Sequence, residues 1–155
     1  MSHSIIKITN QVQINVPKSK VWEIVSDFGN VSRWGPLVTQ SATTSPNNQG
    51  VGAERSCEVL QLGSITEKVI GWDEGNSITI DVKGIPGVYS LVNQSSLSGE
   101  GDQTVVKLET EVDIKGTEEE KKGFEEQFHG ALQLTVEGLK QYAETGQKMA
   151  PPSAP

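Results

Sequence analysis

The chain opens on an alternation of apolar and polar positions. Ile6, Ile8, Val12, Ile14 and Val16 share one parity, and Lys7, Thr9, Gln11, Gln13 and Asn15 take the other. That period of two predicts a strand with one face in a core. Pro17 then suits the first turn of a helix whose short apolar face is Val21, Trp22, Val25 and Phe28. Residues 30–34 add a turn before Gly35 and Pro36 stop it, and 39–52 read as a short strand and a polar loop. Five β-like runs follow, over 51–62, 64–72, 77–83, 88–98 and 103–115. The short Gly-containing turns between them imply antiparallel hairpins.

At Thr117 the period changes. Thr117 and Glu120 have the spacing of a capping box, and Glu118, Glu119 and Glu120 sit where a helix dipole favours negative charge. Phe124, Phe128, Ala131, Leu132, Thr135, Leu139, Tyr142 and Ala143 fall on one stripe at helical spacing. With Gly146 as C-cap the helix spans about 28 residues, roughly 42 Å, enough to cross a domain. Gly123, Gly130 and Gly138 interrupt it, which implies close packing against a neighbour at each, or a hinge. The fold class expected is α+β, with an antiparallel sheet of about seven strands curled around the long C-terminal helix and one or two short helices after strand 1. Such a sheet can leave a concave, mostly apolar space against the helix, the kind of place that holds ligands. Residues 1–146 form one domain in this reading, and 147–155, ending in Ala, Pro and Ser, a disordered tail.

Composition narrows the partners. A length of 155 residues suits one domain with a real core, and a net charge of −7 argues against nucleic acid and anionic membrane surfaces. One cysteine and two histidines, His3 and His129, leave no disulfide, metal site or His-based triad to expect, and no cofactor. The N-terminus lacks the apolar region of a signal peptide and no stretch has the length of a membrane span, so the expectation is a cytoplasmic protein without integral membrane association, a monomer or a homodimer.

Val16 and Pro17, then Val21 to Phe28, Trp34, the run Gly50, Val51, Gly52, Ala53, Glu54 and Arg55, the stretch from Glu67 to Trp72 and the long last helix resemble one superfamily. It is the Bet v 1/START-like (SRPBCC) superfamily of helix-grip proteins, within it most nearly the polyketide cyclase/dehydrase and lipid-transport family. The resemblance covers residues 5–145. It implies a hydrophobic-ligand cavity between sheet and helix without naming the ligand, because a fold does not fix a function.

Parity picks the cavity-lining candidates. Arg55 shares the inward set of Val51, Ala53, Cys57 and Val59, and the resemblance implies that Arg55 and Glu67 face the cavity. Arg55 is then a ligand anchor or half of a structural ion pair. A turn at Leu62, Gly63 and Ser64 would set Glu67 opposite Val59, about 13 Å along the strand from Arg55, so no direct contact is expected. Tyr89, Leu91 and Asn93 form another inward set, with Tyr89 either orienting a ligand or simply packing. From the helix come Phe124, Phe128, Ala131, Leu132 and Thr135. Similar proteins often contact ligand at the position of Thr135, although a threonine there can bond the carbonyl one turn back. Trp34 stands at a cavity mouth and Trp22 in the core. Cys57 reads as a small core residue rather than a nucleophile. Ile85 and Pro86, flanked by Gly84 and Gly87, make a lid or a plain hairpin turn. No catalytic residue is assigned. The function expected is binding or transport of a lipid, isoprenoid, quinone or polyketide. The alternatives are a cyclase/aromatase-type enzyme, which needs an inward proton donor or acceptor, and a stress-response or interaction module with an incidental cavity.

Overall fold

The computed structural model describes residues 5–151; His3 and the last residues of the expected tail, 152–155, lie outside them. The elements in chain order are β1 Ile5–Ile14, α1 Lys18–Ser26, a 3-10 helix Phe28–Arg33, β2 Val38–Thr43, β3 Glu54–Val59, β4 Gly63–Asp73, β5 Ser77–Lys83, β6 Val88–Ser98, β7 Thr104–Ile114 and α2 Glu118–Thr145. The strands form one antiparallel sheet in the order β1-β7-β6-β5-β4-β3-β2, curved about α2. This is the α+β helix-grip arrangement that the pattern implies. Residues 51 and 52, at the start of the run expected to be a strand, form a turn instead, with Gly50 and Gly52 at positive φ, and the strand begins at Glu54.

α2 starts on its capping box, with Glu120 N–H donating to Thr117 Oγ1 and Thr117 N–H to Glu120 Oε1. It ends at Gly146, whose φ of 76° is left-handed and whose N–H donates to Tyr142 O. Its C-terminal half is held from two sides. On one, Lys140 Nζ donates to Gln13 O and Asn15 N–H to Glu144 Oε2 at 2.8 Å. That backbone bond, with Lys140, holds the Glu144 carboxyl below the usual carboxylate range. On the other side lies the segment Trp34 to Pro36. A Cβ added to Gly138 would stand 2.4 Å from Pro36 Cδ, so only glycine permits this approach. Gly123 and Gly130 differ: a Cβ on either would meet nothing within 4 Å. Close packing therefore explains Gly138 but not these two, which correct that expectation. Beyond the helix, Lys148 Nζ donates to Val38 O at 2.7 Å.

The core is the inner face of the sheet closed by α1 and the second half of α2. Ile14, Val21, Phe28, Val106 and Val112 are fully buried in it, with Val136 and Leu139 from the helix. Trp22 and Trp72 meet edge-on at 5.2 Å, and both indole N–H groups donate to the Glu74 carboxylate, which ties α1 to the turn between β4 and β5. Among the described residues no helix is long and apolar enough to cross a membrane.

Candidate ligand site

The side chains facing α2 follow from one contact. Asn10 Nδ2 donates to His129 O at 3.2 Å and to Gln133 Oε1 at 2.9 Å, so the even positions of β1 point at the helix. Residues directly opposite on neighbouring strands share a face. The ladder carries that face through Leu108, Ser95 and Ile78; through Thr110, Asn93, Ile80 and Val69; and through Val112, Leu91, Val82, Glu67 and Arg55. The Asn10 side chain is 2% exposed, and its Oδ1 is buried without a donor.

At the β3 end of this face Arg55, Cys57 and Glu67 come together. Arg55 Nε donates to Glu67 Oε1 at 2.8 Å, Nη1 donates to Phe28 O at 2.7 Å, and the guanidinium lies 3.9 Å from the centre of the Phe28 ring. The two side chains are 9% and 12% exposed. The expectation that Arg55 and Glu67 stand apart is therefore wrong. Arg55 pairs with Glu67 across the ladder and Val59 with Gly63, so the hairpin turns at Leu60 and Gln61 rather than at Gly63. Gln61 takes a φ of 70° and Gly63 one of 85°, both left-handed. Cys57 is buried with Sγ donating to Glu67 Oε1 at 3.5 Å; burial first, then the Glu67 charge, push its thiol up to about 12, where it is inert as a nucleophile at neutral pH.

Tyr89 does not face the interior. It is 55% exposed, with the Lys115 ammonium 5.0 Å from its ring centre. The register of β6 against β7 shifts between Val88 and Ser90, and this bulge turns Tyr89 outward while leaving Leu91 and Asn93 inward. Leu91 is buried, Asn93 half-buried, and Asn93 Oδ1 accepts from Thr110 Oγ1 at 2.6 Å.

On α2, Phe124, Phe128, Ala131, Leu132 and Thr135 are all half-buried, whereas Val136, Gly138 and Leu139 are buried. Phe124 and Phe128 stack with centres 6.1 Å apart. Thr135 Oγ1 donates to Ala131 O at 3.0 Å, so its hydroxyl is satisfied within the helix. Lys121 shares the stripe one turn before Phe124; its side chain is 17% exposed with Nζ 3.7 Å from Glu118. Trp34 and Val59 are half-buried against the core. In the segment between β5 and β6, Ile85 packs on the core, Pro86 is exposed, and a Cβ on Gly87 would stand 3.1 Å from Phe124 Cζ. That segment thus rests on the first half of α2. A shallow groove runs between β1 and α2, by Lys7, Ile8, Glu125 and His129.

Sequence reasoning missed Phe28, Asn10, Thr110 and Ser95 as inward polar or capping partners. The alternation of β1 and β7 would have found Asn10 and Thr110 had polar residues at inward parity been sought there. The Phe28 carbonyl carries no signal in the sequence.

A curved antiparallel sheet gripping one long helix, with short helices after the first strand, defines a helix-grip protein of the Bet v 1-like kind. The sequence profile described as polyketide cyclase / dehydrase and lipid transport matches residues 6–144, and the chain belongs to that family. No curated protein sequence matches it. Among solved structures, an uncharacterised protein from Bacillus thuringiensis superposes with a TM-score of 0.75 at 16% identity, covering 90% of this chain and 99% of the other. A protein from Nitrosospira multiformis gives 0.75 at 18% identity, with 91% and 98% covered. A point mutant of norcoclaurine synthase from Thalictrum flavum, in complex with a transition-state analogue, gives 0.72 at 16% identity, with 94% and 98% covered. At such identities these likenesses speak for the fold alone.

Proposed function

We propose that the protein binds a hydrophobic small molecule, a lipid, isoprenoid, quinone or polyketide, between the inner face of the sheet and the first half of α2. The observation that carries this reading is the uneven burial along the helix: Val136, Gly138 and Leu139 are buried, while Phe124, Phe128, Ala131 and Leu132 before them are only half-buried, as are Tyr142 and Ala143 at its end. Apolar surface left open at about 25 cal/mol per Å² is a standing driving force for an apolar occupant. Family membership supports the same class of ligand. Ring closure would need a free interior proton donor or acceptor, and Glu67 is already engaged by Arg55 and Cys57, which favours binding over catalysis.

The test is fluorescence titration with the neutral apolar probe N-phenyl-1-naphthylamine. Saturable binding near micromolar, about −8 kcal/mol, with displacement by quinones or fatty alcohols is expected. A titration that never saturates, and that no lipophile reverses, refutes the reading.

A further inference from the structure

The inner face of β6 reads Leu91, Asn93, Ser95, Leu97, with both leucines buried and both polar residues half-buried. Their neighbours across the ladder are Ile80 and Thr110 for Asn93, and Ile78 and Leu108 for Ser95, all buried. Two polar side chains thus stand side by side in a mostly apolar surround. The Thr110 hydroxyl holds Asn93 by its Oδ1, which leaves Nδ2 with both hydrogens. No described residue accepts from Nδ2 or bonds the Ser95 hydroxyl. Both lie on the sheet face that Asn10 turns toward α2. Arg55, on the same sheet face, is paired with Glu67, and Lys121, on the α2 stripe, has its Nζ 3.7 Å from Glu118.

We infer that the ligand is a neutral lipophile bearing a carbonyl or hydroxyl oxygen, which accepts a hydrogen bond from Asn93 Nδ2 and meets the Ser95 hydroxyl in the middle of β6. The inference rests on the interior-binding reading above and narrows it. An amide N–H facing an apolar space is satisfied by a ligand oxygen or by water, and an apolar body displaces the water. An oxygen acceptor at that point completes the Thr110–Asn93–ligand chain. A hydrocarbon leaves the amide bare, and a carboxylate loses its water without gaining a free cation.

Three planar molecules of one skeleton test it by displacing N-phenyl-1-naphthylamine: fluorene, fluorenone and fluorene-9-carboxylate. Fluorenone is expected to bind about three- to tenfold more tightly than fluorene, the net worth of one hydrogen bond, and the carboxylate more weakly than either. In the double variant Asn93→Leu with Thr110→Val, both members of the internal hydrogen bond become apolar at similar volume. The fluorenone advantage over fluorene should then vanish, whatever the change in fluorene's own affinity. Ser95→Ala, which removes one oxygen and keeps the fold, should reduce that advantage even if the double variant does not fold. Fluorene and fluorenone displacing equally in the wild type overturn the inference and leave interior binding standing. An advantage that persists in the variants, or a carboxylate that binds tightest, also overturns it. A wild type that never binds the naphthylamine saturably overturns both readings.

Discussion

An arginine taken out of water needs partners for its charge and for its plane, and Arg55 has a carboxylate, a carbonyl and the Phe28 ring. Breaking such a pair on one side leaves a buried charge alone. Glu67→Gln is therefore expected to cost about 3–5 kcal/mol in urea unfolding, and Arg55→Met combined with Glu67→Leu to recover most of that loss. A Glu67→Gln protein within 1 kcal/mol of the wild type would mean that the pair is wet and the β3 end of the sheet open. Parity alone was enough to turn Arg55, Cys57, Leu91 and Asn93 inward, because alternation is a local property of a strand. It failed for Tyr89, where the bulge shifts the count by one, and for the distance between Arg55 and Glu67, where the turn falls at Leu60 and Gln61, ahead of Gly63. In both cases a shift of one or two residues along the strand decides the geometry.

At the scale of the element, α2 was legible from end to end. Its capping box, stripe and Gly146 stop are all set by residues within a few turns of each other. The meaning of its glycines was not, since it depends on what stands opposite. Gly138 lies against Pro36, distant in sequence, and Gly130 and Gly123 lie against nothing. The two kinds should respond to alanine with opposite sign. Gly130→Ala is expected to stabilise the protein by about 1 kcal/mol through helix propensity alone. Gly138→Ala, by forcing Pro36 away, should destabilise it by about 1–3 kcal/mol, the usual penalty of overpacking. Thermal or urea midpoints that move in the same direction for both would contradict the packing described for the second half of the helix.

Taken whole, the molecule grips its helix at one end. β1 and the segment Trp34 to Pro36 hold the second half of α2. The first half meets β1 through Asn10 and the β5–β6 segment through Gly87. The inner sheet face opposite that half combines apolar side chains with the neutral pair Asn93 and Ser95. The architecture was readable because its hairpins and long helix allow few arrangements. Whether the space inside is filled was not, since packing density depends on how far apart sheet and helix settle. Ala131, half-buried in the middle of the open stripe, distinguishes a filled interior from one that takes a ligand. The decisive measurement is the urea midpoint and the naphthylamine affinity of Ala131→Phe, taken on one preparation. The account predicts unchanged or raised stability with affinity reduced at least tenfold, a loss of about 1.4 kcal/mol, because the new ring occupies the ligand's space. A stability loss of about 1–3 kcal/mol with unaltered affinity would contradict it, placing Ala131 in a packed core.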